Sequence, residues 1–152
     1  MAQRIHNIRT PRGRVYHNPN MKAVLEWNQN FVDKWAGRYS KAQKYVDSEV
    51  LRLSEPFVPF RTGMLVNLGI LGTTIGEGLV TWLGPYAKFQ YYGKVMVGVS
   101  SGRVWALPGE QKVVTDRDLQ YHGGGLRGSF WFHRMKEVHG RGIVEGARRM
   151  MR

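Results

Sequence analysis

The stretch that decides the fold is Leu65-Val66-Asn67-Leu68-Gly69-Ile70-Leu71-Gly72-Thr73-Thr74-Ile75-Gly76-Glu77-Gly78-Leu79-Val80-Thr81-Trp82-Leu83. Two runs rich in Val, Leu, Ile, Thr and Trp, Leu65–Ile75 and Leu79–Leu83, flank Gly76-Glu77-Gly78. Composition predicts a β-hairpin, because the glycines supply the positive φ of a tight turn and the apolar runs suit a pleated, half-buried surface. Asn67, Gly69 and Gly72 predict a bulge or bend in the first strand. Just upstream, Pro56-Phe57-Val58-Pro59 reads as an extended link, since each proline disfavours helix in the residue before it. Thr62-Gly63 reads as a turn, or as a cap before a short helical turn.

Outward from this centre the period changes. Met21, Val24, Leu25, Asn28, Phe31, Val32, Trp35, Tyr39, Ala42, Val46, Val50 and Leu53 recur at steps of three and four, which predicts a long amphipathic helix over 21–53. Asn20 is its expected N-cap, and Asp47 and several lysines are expected on other faces. Unbroken, the helix would reach roughly 50 Å, more than a small sheet can cover, so part of its stripe is expected to meet another subunit. Downstream, Pro85 to Gly93 is densely aromatic, with Tyr86, Phe89, Tyr91 and Tyr92. Lys94 to Val99 reads as a third strand, and 100–125 as a long polar loop with a short strand near 104–107 or 112–114. Ser129 is the expected N-cap of a final helix carrying Phe130, Phe132, Met135, Val138, Ile143, Ala147 and Met150. The order of elements makes this an α+β protein, with a long N-terminal helix and a C-terminal helix packed on a small antiparallel sheet with a hairpin.

The chain of 152 residues is 42% hydrophobic, enough for one modest core. It lacks cysteine, which excludes thiol chemistry and thiolate metal sites. No apolar run approaches the ~18 residues of a membrane span, so a soluble product with no membrane partner is expected. Net charge is +12. Arg4, Arg9, Arg12 and Arg14 lie in the first 20 residues without an acid, and Arg148, Arg149 and Arg152 crowd the far end. Residues 1–20, broken by Pro11, Gly13 and Pro19, read as an extended basic arm, with 21–152 as a single domain. Such an arm suits either an acidic protein surface or the phosphates of a nucleic acid, and the residues leave both open.

Groups for catalysis are not assembled by the sequence. Asp116 and Asp118 flank Arg117 in what reads as a solvated turn, and His133 and His139, six apart, do not share a helix face. Gly123-Gly124-Gly125 lacks the Gly-Lys-Ser/Thr ending of a phosphate loop and reads as a hinge or turn. No enzyme, cofactor or metal is expected. The aromatics of 85–93 have two readings, core closure and subunit interface; Tyr86 and Phe89 are expected inward and Tyr91 and Tyr92 outward, with the reverse left open. Trp35 and Tyr39 join them as interface candidates.

Three short patterns stand in order: Pro59-x-x-Thr62-Gly63-x-Leu65, then Pro85-Tyr86-Ala87 closing on Tyr91-Tyr92-Gly93, then Arg127-Gly128-Ser129-Phe130-Trp131-Phe132-x-Arg134-Met135. Together they resemble the head–tail joining proteins of long-tailed bacteriophages, the neck or tail-completion proteins often labelled minor capsid proteins. The likeness runs from Pro59 to Met135, half the chain, and leaves out the basic arm. Pro59, Thr62, Gly63, Pro85 and Gly93 are the structural turns of the pattern. The resemblance implies a virion component made in the host cytoplasm and placed in the neck. It implies a homo-oligomeric ring, six copies being the expected number, around the channel through which DNA leaves. Head-completion or connector proteins and tail-terminator proteins are the implied partners, with genomic DNA in the channel. A mobile arm (1–20) and loop (100–125) would then fold on docking. The competing expectation is a protein that binds nucleic acid without sequence preference through its basic termini.

Overall fold

The computed structural model describes residues 12–105 and 107–152. Its elements are strands β1 (Arg14–Asn18) and β2 (Met21–Leu25), helix α1 (Gln29–Ser54), a 3-10 turn (Glu55–Phe57), helices α2 (Met64–Gly72) and α3 (Ala87–Tyr92), strands β3 (Lys94–Gly98) and β4 (Lys112–Asp118), and helix α4 (Trp131–Met150). The fold is α+β, with two separate two-stranded antiparallel sheets, β1–β2 and β3–β4. No helix of the described residues is long and apolar enough to cross a membrane.

The long helix starts later than the sequence suggests. Asn28, not Asn20, caps α1, its side chain accepting from the Asn30 amide at 2.9 Å. Pro19 and Asn20 instead form the turn of a β1–β2 ribbon, in which Tyr16 pairs with Ala23 and Val15 with Val24. The boundary placed between 20 and 21 therefore falls inside a hairpin. Residues 14–20 are no extended arm, whereas 1–11, with Arg4 and Arg9, lie outside the described residues. Met21 and Leu25, four apart, satisfy the period of a strand as well as that of a helix, so spacing does not separate the two here.

α1 and α4 pack antiparallel. Tyr45 of α1 lies against Gly146 near the end of α4, whereas Phe57, past the end of α1, meets His139 earlier in α4 with ring centroids 6.1 Å apart. Any side chain at Gly146 would collide with the Tyr45 ring, so glycine there lets the helices approach. Phe57, Val58, Trp131, Met135 and Ile143 form the buried core, flanked by Val46, Val50, Leu53, Leu65, Val66 and Trp82.

The 65–83 hairpin does not form. Its first half is the helix α2 and its second half is an extended segment lying across that helix. Gly69 is buried beneath Trp82, whose Nε1 would sit 2.6 Å from a Cβ at that position. The loop between is closed by a side chain rather than a β-ladder: Thr73 Oγ1 accepts from the Thr81 amide at 3.1 Å. Gly76 (φ 101°) and Gly78 (φ 77°) do take the expected left-handed conformations. Their amides are held by Asp47, whose carboxylate accepts from both at 2.7 and 3.1 Å and from Gln43 Nε2 at 2.7 Å. Asp47 is buried, contrary to its expected place on an outer face. A buried carboxylate is tolerable here because each contact is a charge-assisted hydrogen bond.

Replacing Asp47 with alanine removes the acceptor of the Gly76 and Gly78 amides and frees the 73–83 segment. We expect Asp47→Ala to lose about 2–3 kcal/mol of stability in urea unfolding. A loss under about 0.5 kcal/mol, typical of a surface change, would contradict this role.

Candidate functional site

The second and third patterns of the resemblance meet at the C-terminal end of α3, and the first faces the start of that helix across a cleft. Gly93, with φ 73°, ends that helix, and its amide donates to Phe89 O at 2.9 Å. Three carbonyls at this end, which a helix cannot satisfy internally, find partners from distant segments. Gln90 O accepts from Tyr121 Oη at 2.5 Å, Tyr91 O from the Phe130 amide at 2.9 Å, and Gly93 O from the Leu119 amide at 2.7 Å. Phe130 adopts φ 53°, unusual for a non-glycine residue, and takes the cap position of α4 expected for Ser129. Just before it, Arg127 Nη1 donates to Val58 O at 2.7 Å and Glu55 O at 3.1 Å, its guanidinium lies 5.0 Å from the Phe60 ring, and the Gly128 amide donates to Phe57 O at 3.0 Å.

Beside this junction lies an open cleft of about 580 Å³. One wall is Pro59, Thr62, Gly63 and Leu65; the facing wall is Pro85, Tyr86 and Ala87; Tyr121 and His122 close the rim. Gly63 (φ 76°) turns the chain into α2, as its pattern predicts. A second groove of about 560 Å³ runs along α4 over Val50, Met135 and Ile143, with Lys136, Arg141 and Arg148 at its edge.

The aromatic assignments divide. Tyr91, expected outward, is half-buried and joins the core, its ring edge-on to Trp131 at 4.7 Å and its hydroxyl 2.6 Å from His133 Nδ1. Burial, with the neighbouring Tyr92, pushes the Tyr91 phenol above its ordinary pKa. Tyr86, expected inward, is 56% exposed, with Lys112 Nζ 5.2 Å over its ring. Phe89 is half-buried and Tyr92 exposed, as expected. The reversal follows from helix geometry, which the composition of 85–93 did not signal: over a six-residue helix, only one side of α3 can meet Trp131. On α1, Phe31, Trp35 and Tyr39 stack in sequence with centroids 5.7 and 6.2 Å apart, Phe31 and Tyr39 exposed and Trp35 half-buried.

The 100–125 stretch is more ordered than a mobile loop. β4 occupies 112–118, so Asp116 and Asp118 lie on a strand, with Asp118 bound to Lys94 at 2.6 Å. Glu110 gathers the segment between β3 and β4. Its carboxylate accepts from the amides of Ser100, Ser101 and Leu107 and from both serine hydroxyls, at 2.7–2.9 Å. These bonds, the Leu107 and Ser101 amides first, hold its pKa down to about 2. Nothing in the sequence marked Glu110, since its partners are backbone amides and common serines.

Arg12, Arg14, Arg148, Arg149 and Arg152 are all exposed. Both salt bridges among the described residues, Arg52–Glu49 and Lys94–Asp118, lie elsewhere. Among the described residues no group of three or more His, Cys, Asp or Glu side chains is placed to hold a metal ion. Comparison with protein-family models, curated proteins and solved structures returns no match to this chain.

The Glu110 staple sets a pH dependence. Its folded pKa lies below the ordinary 4.5, so its contribution is complete above that value and is lost as pH falls from 4.5 to about 2. Amide protection factors at Ser100, Ser101 and Leu107 should fall across this window and be low at all pH values in Glu110→Gln. Protection unchanged by acid or by the substitution would contradict the assignment.

Proposed function

We propose that this chain is a structural subunit of the neck of a long-tailed bacteriophage. Copies form a ring, six in number, that joins the DNA-filled head to the tail around the DNA exit channel. The observation that carries the reading is the large apolar surface left uncovered on a body that is otherwise locked together. Every residue of the β1–β2 ribbon is exposed, Tyr16 to 59% and Met21 to 68%. A lone two-stranded ribbon is marginal in water, and exposed apolar patches of this kind mark association sites. The resemblance supplies the class of assembly, and the contacts that link its three patterns, Phe130 to Tyr91 and Arg127 to Phe60, support treating them as one unit.

In this reading the protein works by shape. Head-completion or connector proteins meet one side of the ring and tail-terminator proteins the other, and the exposed arginines grip acidic surfaces of those neighbours or face the DNA. A second reading is favoured by one observation: those arginines have no carboxylate partner among the described residues, which suits phosphate binding without sequence preference.

Truncation separates the two readings. Removal of residues 1–26, which keeps the Asn28 cap of α1, should leave the urea unfolding transition of the body in place and abolish joining of heads to tails in an in vitro assembly assay. Infectious particles built from the truncated chain would overturn the neck reading. Tight binding of the intact chain to duplex DNA, falling steeply with added salt and without any effect on joining, would favour the second.

A further inference from the structure

We propose that the β1–β2 ribbon is an exchange element: it leaves its own subunit and docks on the α2 face of a neighbouring copy of this chain. The inference rests on the ring reading and assigns the two surfaces that meet.

The ribbon has two unlike faces. Antiparallel pairing places directly opposed residues on the same face. Arg14 opposes Leu25, Tyr16 opposes Ala23 and Asn18 opposes Met21, so one face carries Leu25, Tyr16, Ala23 and Met21. The other carries the Val15–Val24 pair and, toward the tip, His17 and Lys22. The first is an apolar stripe, yet all of it is exposed. An amphipathic ribbon with nothing among the described residues over its apolar face is open to a partner surface.

Charge identifies that surface. The chain carries +12, and the ribbon region contributes Arg12, Arg14 and Lys22 without an acid from 12 to 25. Two such molecules repel least where the docking face is poor in cations. Residues 62–87 contain a single charged side chain, the acid Glu77, and Lys44 of α1 lies beside it against Gly76. That stretch also exposes Met64, Ile70, Leu71, Leu79 and Leu83, with Leu71 at 78%. Asp47 and Trp82 hold it firmly from beneath, so it meets a partner as a preformed face. The ribbon's apolar stripe thus matches an apolar face poor in cations, with Glu77 the one acid available to its arginines. Because donor and acceptor differ, a non-reciprocal contact propagates head to tail, as a ring requires.

The cysteine-free chain permits a direct test. Tyr16→Cys and Leu71→Cys proteins are prepared separately, checked for unchanged circular dichroism, mixed and oxidised in air. We expect a disulfide-linked heterodimer in clear excess over a mixture of Val138→Cys with Leu71→Cys, where Val138 is an exposed control on α4. Glu77→Lys in the acceptor should reduce the yield, which a purely apolar contact would not. A yield equal to the control overturns the proposal. Sedimentation of the unmodified chain then separates the two failures: a closed oligomer leaves the ring standing on other faces, and a monomer removes support from both.

Discussion

Burial of Trp131 is the constraint on which the rest of the structure depends. The residue is 1% exposed and meets Trp82 and Tyr91 edge-on at 5.7 and 4.7 Å. Trp82 brings the segment lying over α2, Tyr91 brings α3, and the backbone before Trp131 is bolted to the 3-10 turn after α1 through Arg127 and Gly128. Its indole nitrogen finds no hydrogen-bond partner, so packing alone holds the ring. Four segments distant in sequence therefore share one side chain. The left-handed conformation of Phe130 is maintained by the same junction, since its amide is tied to Tyr91 O and its ring packs against Tyr91 and Tyr92.

The sequence made the α+β class, the long and terminal helices and the third strand legible, because each has strong periodicity or a clear stop. Its turn glycines were legible too: Gly63, Gly76, Gly78 and Gly93 all adopt positive φ. The reading failed where a strand needed a partner. Leu65–Ile75 has strand-like composition, but β propensity describes a fit to a paired surface, and Trp82 lying over Gly69 makes a helix the better-packed form. It failed again at 14–25, where five-residue strands carry too few residues to separate a period of two from one of 3.6. Asp47 and Glu110 were invisible for a different reason: their partners are backbone amides, which have no sequence signature.

The candidate surfaces were half legible. Arginines at the termini are exposed where described, and Pro59, Thr62, Gly63 and Pro85 wall one cleft. Tyr86 and Tyr91 exchanged sides because the face of a six-residue helix is set by its neighbours. What emerges is a division of labour. Apolar contacts around Trp131 and carboxylate staples at Asp47 and Glu110 fix the body, and the ribbon and the α2 face remain unsatisfied. On the proposed reading such a molecule would gain stability by finding neighbours.

The most direct measurement is a reconstruction by electron cryomicroscopy of the intact particle at the junction of capsid and tail. The account predicts density for this chain as a closed ring around the DNA channel, with each copy's 14–25 ribbon covered by protein. A junction built without this polypeptide would contradict it.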